Sequence, residues 1–248
     1  MKHLVILSFG ASGTNALVDQ LFNNDHVFVH KEKEPLNLNS KSNKDKGLKD
    51  GKITWVQKIE SLIREAGNKK LLIHIKPKHL RKLGVSCAEA VDYLKDNFEF
   101  IFIERLNYLA RQCSAEFKRN AKANKRATIR FLKTSTIAGS FPAACCMCLT
   151  SKFEEMTAIN EELKDLIKNY NHICITYEDH IKPDPRIGSD IITRYFNIYH
   201  DYDYKRYINH YHAKKNKWSD IKLADKIADF DDLKKEFIGT KYEWMLWE

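Results

Sequence analysis

Short apolar runs alternate along the chain with segments of helical periodicity. Five runs read as β-strands, at residues 3–8, 26–30, 70–76, 98–104 and 172–177. Between them, three segments carry apolar positions on one helical face, at residues 14–22, 53–66 and 88–96. Strands that alternate with helices pair in parallel through helical crossovers. The pattern therefore predicts an α/β protein with a central parallel sheet flanked by helices.

The second half of the chain is predicted to add helices and irregular segments. Residues 107–125 read as a basic helix, residues 153–169 as a longer amphipathic helix and residues 231–237 as a short acidic one. Residues 36–52 are rich in Asn, Ser, Lys, Asp and Gly, which favours a loop. No internal repeat or linker is visible, so we predict a single domain over residues 1–248.

Composition narrows the class of protein. A chain of 248 residues with 43% hydrophobic and 11% aromatic content carries enough apolar surface for a folded domain. Lysine and arginine (42) exceed aspartate and glutamate (33) by 9, which favours anionic partners. No apolar run approaches the ~18–20 residues of a membrane helix. The six cysteines do not form a disulfide pattern, so a cytoplasmic location is expected.

The segment between the first strand and the first helix has the features of a phosphate cradle. Residues 8–15 read S-F-G-A-S-G-T-N, and a following helix N-terminus offers unpaired N–H donors. The nucleoside triphosphate motif G-x-x-x-x-G-K-[ST] does not fit, because Gly10 and Gly13 are too close and no lysine follows. The dinucleotide fingerprint G-x-G-x-x-G fails as well. The alternative is a simple strand-to-helix turn with a hydroxyl cap.

This loop resembles the 5′-phosphosulfate-binding loop of sulfotransferases, and Ser12-Gly13-Thr14 match its S-G-T. Ala11 stands where the family usually has Lys or Arg. The resemblance implies that backbone donors, Thr14 and a lysine from elsewhere compensate for this missing cation. The residues implied to bind the phosphosulfate are Gly10, Ala11, Ser12, Gly13, Thr14 and Asn15.

A second segment, residues 98–114, resembles the 3′-phosphate segment of the same family, a strand that ends in Arg and runs into a helix bearing Ser. Arg105 and Ser114 take those places, with Leu106 where many members carry Arg. A guanidinium offers a planar fork to phosphate, and a hydroxyl in the next helix can point back at it. Arg111 is the alternative anion ligand if the register differs. The alternative interpretation of Arg105 is a solvated charge at the edge of the sheet.

Two further segments resemble catalytic parts of the family. Lys76-Pro-Lys-His-Leu resembles its K-T-P-x-x-L or K-T-H-L segment, which implies Lys76 near the transferring sulfonate and His79 near a catalytic histidine. Glu34, before Pro35, resembles the base of carbohydrate-directed members. Sulfonyl transfer needs a base for the hydroxyl proton and a cation for the leaving oxygen. Glu34 or His79 could be that base. The alternative for Glu34 is a charge in the solvated run K-E-K-E, and the alternative for His79 is a helix-capping or surface histidine.

Two more echoes extend the resemblance over most of the chain. Residues 172–179 resemble the family's strand ending in Y-E-D, and residues 239–245 resemble the C-terminal L-x-G-T-x-Y-x-W of bacterial carbohydrate-type members. The resemblance implies a P-loop-like three-layer fold and a sulfotransferase that uses 3′-phosphoadenosine 5′-phosphosulfate (PAPS) without a metal. A saccharide or another small hydroxylated molecule is the implied acceptor.

The sequence does not favour a metal site or a nucleic-acid-binding surface. Cys145, Cys146 and Cys148 lack the paired spacing of zinc modules, and the basic run at residues 118–133 lacks a nucleic-acid signature. Neither a metal site nor a nucleic-acid partner is therefore predicted. Two alternatives stay open: a non-catalytic nucleotide- or polyanion-binding module on the same fold, and a nucleotide kinase-like P-loop protein that would require ATP and magnesium.

Overall fold

The computed structural model describes residues 1–10, 12–22, 24–30, 34–38, 48, 51, 53–114, 146–198, 223–227 and 230–247. Contacts divide the chain into two compact units. The first unit comprises Met1–Leu106 and Glu161–Tyr207, and the second comprises Asn107–Asn160 and Ile208–Glu248. The single domain over residues 1–248 stays a prediction.

The first unit is built on a five-stranded parallel sheet. Its strands are β1 His3–Ser8, β2 Val27–Val29, β3 Lys70–Ile75, β4 Phe98–Glu104 and β5 His172–Thr176. Their order is β2-β3-β1-β4-β5, and every neighbouring pair is parallel. The predicted α/β fold with a central parallel sheet is therefore confirmed.

Helices flank this sheet. They are α1 Thr14–Phe22, α2 Trp55–Ala66, α3 Pro77–Lys82, α4 Cys87–Leu94, the part of α5 Cys146–Ile167 that begins at Glu161, α6 Tyr177–His180 and α7 Pro185–Tyr195. The first two and α4 follow the predicted spans to within two residues. Helix α7 was not predicted, although Asp184 caps it by accepting from the Arg186 N–H at 2.9 Å and Pro185 occupies its first turn. That pairing of a cap and a proline is a recognised start signal.

The strand that leads to the glycine loop lies in the middle of the sheet. All six residues of β1 are buried, since β3 and β4 cover its edges and side chains from the flanking helices cover its faces. Leu4 and Ile6 pack with Leu17 of α1 and Ile192 of α7 in one apolar cluster. This packing fixes where β1 ends, and therefore where the loop that follows it leaves the sheet.

In its described part, the second unit is helical with an aromatic core. It contains helical residues 108–114, the first part of α5, α8 Leu223–Lys226, α9 Phe230–Phe237 and a 3-10 turn, Glu243–Leu246. Phe153 packs edge-on against Tyr242, with ring centroids 5.4 Å apart, and Phe237 is fully buried beside it. Across the described residues of the whole chain, none of the helices has the length and apolarity to cross a membrane.

Candidate functional site

The chain leaves β1, β3 and β4 at the same end of the sheet, where the carboxyl ends of these three strands lie. Ser8 at the end of β1 is level with Ile103 of β4, and Leu7 is level with Ile75 of β3. The chain after β1 returns towards β2, whereas the chain after β4 moves on to β5 at the opposite edge. Ligands of open parallel sheets bind in the crevice that forms where connections diverge in this way. The sheet thus directs attention to the carboxyl ends of β1 and its two neighbours.

The glycine loop after β1 is closed by its own residues. The Ser12 hydroxyl is buried and donates to the Phe9 carbonyl at 2.9 Å. Gly13 has φ +75°, and a Cβ there would lie 2.5 Å from the Tyr177 ring, so only glycine fits. Thr14 is buried at the start of α1, while Asn15 is exposed. Gly10 lies in the turn after β1, and Ala11 lies outside the described residues.

The three residues predicted for catalysis form one cluster at the end of β3. Lys76 donates a short hydrogen bond to Oε1 of Glu34, and His79 Nε2 lies 3.6 Å from the other carboxylate oxygen, Oε2. The Asn37 side-chain amide also donates to Oε2, at 3.2 Å. The Glu34 side chain is 19% exposed, whereas Lys76 and His79 are buried. The two predicted candidates for the base are therefore neighbours.

Burial and lysine charges set the protonation of this cluster. Burial alone would raise the pKa of Glu34, but the hydrogen bond and the charge of Lys76 outweigh burial and lower it. Burial lowers the pKa of His79 to about 4; Glu34 opposes this shift, and Lys76 and Lys78 add to it. At neutral pH the cluster therefore holds a carboxylate, an ammonium and a neutral imidazole.

The two ring nitrogens of His79 are buried without a hydrogen bond among the described residues. The side chain as a whole is only 2% exposed. Buried polar atoms without partners are rare in folded proteins, because each costs roughly 1–3 kcal/mol of desolvation. An acceptor hydroxyl or a water molecule bound beside Glu34 would satisfy Nε2, the ring nitrogen that faces this carboxylate.

Sequence reasoning missed two residues that connect this cluster to the glycine loop. His74 of β3 lies with Nδ1 3.7 Å from Glu34 Oε1 and Nε2 2.7 Å from the Ser8 hydroxyl, which lies 3.3 Å from the Thr14 hydroxyl. Burial, with the charges of Lys76 and Lys78, lowers the pKa of His74, so this ring is neutral at neutral pH. The available signal was a histidine inside the otherwise apolar run K-L-L-I-H-I.

The order of Ser8, His74 and Glu34 is that of a nucleophilic serine, a histidine base and an acid. Ser8, however, is 0% exposed and paired within the sheet, so its hydroxyl cannot reach a substrate. The three residues therefore form a buried polar connection between the loop and Glu34, with a hydrogen bond between Ser8 and His74 and a 3.7 Å approach from His74 to Glu34.

On the β4 side, Arg105 lies where β4 ends. Its guanidinium carbon is 4.3 Å from the centre of the Tyr177 ring, the same ring that excludes a side chain at Gly13. Glu178 accepts a hydrogen bond from the Leu106 N–H at 3.0 Å. Tyr177 thus contacts both the glycine loop and Arg105. The Y-E-D segment therefore packs against both proposed phosphate-binding regions.

The remaining 3′-phosphate candidates belong to the second unit. The Ser114 hydroxyl donates to the Ala110 carbonyl one turn earlier, at 2.9 Å. The Arg111 guanidinium contacts the Met156 sulfur. Joint phosphate binding by Arg105 and Ser114 stays a prediction.

A scan of family models and a search of curated proteins each found no match for this chain. Within the ranges that the structure describes, no three His, Cys, Asp or Glu residues are grouped to hold a metal ion. Cys145 and the basic run at residues 118–133 lie outside those ranges, as do the side chains of Cys146 and Cys148.

Proposed function

We propose that this protein is a PAPS-dependent sulfotransferase that transfers a sulfonate to a hydroxyl of a saccharide or another small acceptor. One observation carries the proposal: Lys76 and His79 both lie within hydrogen-bonding or ion-pairing distance of Glu34, although the sequence resemblance implied the three residues separately. They lie where β3 ends, next to the strand that carries the glycine loop. A base, a cation and a phosphate cradle are the groups that sulfonyl transfer requires.

The topology supports a P-loop-like three-layer fold. A central first strand with the order β2-β3-β1-β4-β5 differs from the two common nucleotide-binding orders, 3-2-1-4-5-6 and 2-1-3-4-5. The glycine loop follows that central strand and opens α1, as a phosphate-binding loop would. Thr14 and the first N–H groups of α1 would hold the 5′-phosphosulfate, and Arg105 the 3′-phosphate.

The proposed reaction is a direct displacement at sulfur. Glu34 takes the proton of the acceptor hydroxyl while the acceptor oxygen forms its bond to sulfur. The bond between sulfur and the bridging phosphate oxygen breaks, and adenosine 3′,5′-bisphosphate leaves with the electron pair. Lys76 stabilises the charge that develops on that bridging oxygen.

The ion pair in the structure gives Lys76 a second part in this reaction. While Lys76 donates to Glu34, it holds the pKa of the carboxyl down and makes Glu34 a weak base. When the donor draws the ammonium towards its phosphosulfate, Glu34 loses this stabilisation and its proton affinity rises. Proton removal is thereby tied to donor binding.

The test begins with binding. Calorimetry should show that adenosine 3′,5′-bisphosphate binds roughly 10- to 150-fold more tightly than AMP, as one charged hydrogen bond of ~1.5–3 kcal/mol allows. Arg105→Ala should remove most of this preference; if Arg111→Ala removes it instead, the register is wrong. Equal affinity for AMP would overturn the assignment of the donor. Transfer to carbohydrate hydroxyls, measured with labelled PAPS, should persist in EDTA.

A non-catalytic nucleotide-binding module is the second candidate, and the closed Glu34–Lys76 ion pair favours it. In such a module the pair would stay closed when nucleotide binds. Binding of adenosine 3′,5′-bisphosphate with no transfer to any acceptor would support this candidate. A preference for ATP with magnesium would instead indicate the nucleotide kinase-like alternative.

A further inference from the structure

A lysine from the segment after β3 reaches the glycine loop after β1. Lys78, the second residue of α3, has an exposed side chain. Its Nζ lies 3.8 Å from the point where a Cβ on Gly10 would stand. Both residues belong to the first unit, and they follow strands that are hydrogen-bonded neighbours. The sheet register therefore holds this ammonium beside the start of the loop.

The loop itself supplies no charge. Residues 8–15 contain no acidic or basic side chain, and the first turn of α1 has no acidic residue. Backbone N–H groups and a helix dipole stabilise an anion near a helix end only modestly. A polyanion such as a phosphosulfate would need a further cation.

The charge of Lys78 is already felt by the buried cluster. It contributes to lowering the pKa of Glu34 and those of His74 and His79. The residue next to it, His79, is buried with neither ring nitrogen hydrogen-bonded among the described residues. Partnerless buried groups of this kind mark places where a bound molecule or water completes the structure.

Among the described residues, two further cations lie near the carboxyl ends of these strands. Lys76 is buried and donates to Glu34, and Arg105, at the end of β4, stacks on Tyr177. Lys78 carries a compact charge on a flexible stem of four carbons, which suits a point contact with phosphate oxygens.

We propose that Lys78 is the cation for the 5′-phosphosulfate group, in place of the basic residue that the loop lacks at Ala11. This inference rests on the proposed function and names the side chain that binds the donor's reacting end. It assigns to α3 a double part: Lys76, at its cap, faces the base, and Lys78 faces the donor.

The experiment compares two ligands that differ only in the 5′-phosphate. Calorimetry measures adenosine 3′,5′-bisphosphate and adenosine 3′-monophosphate on the wild type and on Lys78→Met. We expect Lys78→Met to weaken the bisphosphate roughly 10- to 150-fold, the range of one charged hydrogen bond, and the 3′-monophosphate less than twofold. Lys78→Arg should retain most of the affinity for the bisphosphate.

Lys82→Met is the matched control, because Lys82 is an exposed lysine of the same helix and adjusts only the pKa of His79 among these groups. It should leave both affinities unchanged. If the wild type binds the bisphosphate and Lys78→Met weakens both ligands equally, or neither, the role of Lys78 is overturned and the proposed function stands. If the wild type binds no bisphosphate, the proposed function itself is overturned.

Discussion

The two strands that flank β1 differ in what they bury. On one side, β4 buries Phe98, Phe100 and Phe102, each at most 2% exposed, and its two charged residues, Glu99 and Glu104, lie near its ends and are only half-buried. On the other side, β3 buries His74 at 1% exposure and is followed by Lys76, itself buried. Both strands are parallel to β1 and hydrogen-bonded to it along their lengths.

The middle of β4 buries only apolar side chains, so a strand of this sheet pairs with β1 without a buried polar group there. Burying a polar group costs free energy unless it is hydrogen-bonded, and burying a charge costs more. The carboxyl end of β3 nevertheless gathers a carboxylate, an ammonium and two neutral imidazoles. Such an arrangement is typical of a functional site, where pKa values are adjusted by burial and charge.

Removing the carboxylate on the β3 side should have the largest effect. Glu34→Gln keeps the shape of the side chain and an acceptor for Lys76, but an amide cannot take up the acceptor proton. We expect kcat to fall by ~10²–10⁴, with affinity for adenosine 3′,5′-bisphosphate changed only a few-fold. His79→Ala should have a much milder effect. Steady-state rates with labelled PAPS and calorimetry on the same preparations provide the measurement.

The matched control lies on the β4 side, where Glu104→Gln makes the same change at the end of the strand that flanks β1 on its other side. It should leave kcat within about twofold. A larger loss with His79→Ala than with Glu34→Gln would transfer the role of base to His79. Full activity in both variants would mean that neither is the base.

The sequence predicted elements better than contacts. All five strands were predicted, because parallel strands buried on both faces appear as continuous apolar runs. Glu34 and Lys76 were named from separate segments, but 42 positions separate them in the chain, and only the pairing of β2 with β3 brings the segments together. His74 and Ser8 were missed, since a histidine in a strand does not show which atom it faces. Lys78 was missed because the sequence of a helix does not show which loop a lysine side chain reaches.

The free energy of unfolding should depend on pH between roughly 4 and 6.5, because of the buried histidines on the β3 side. Because burial lowers the pKa of His79 to about 4, the unfolded chain takes up a proton there that the folded chain refuses. Stability is therefore fully present near pH 7 and falls as the pH falls, by about 2 kcal/mol at pH 5 from ~1.4 kcal/mol per pKa unit. His74 adds in the same direction. Urea unfolding at pH 7 and pH 5 measures this difference.

Two variants separate the strands in this experiment. His79→Gln should unfold with a smaller difference between the two pH values than the wild type shows. Phe102→Leu, on β4, should lower the free energy of unfolding by a similar amount at both pH values, because β4 contains no histidine. The comparison fails if His79→Gln retains the full pH dependence.

The smallest effect should come from the ion pair at the end of β4. Lys164 donates to Glu104 at 3.0 Å and to Glu161 at 2.9 Å; burial would lower the pKa of Lys164, but these two bonds outweigh burial and raise it to about 12. The Lys164 side chain is 34% exposed, so solvent screens the pair. A double-mutant cycle with Lys164→Met and Glu104→Gln should give a coupling of ~0.2–1 kcal/mol in urea unfolding, smaller still in 1 M salt. A coupling well above that range, or a fall in kcat with Lys164→Met, would place functional polar groups on both sides of β1.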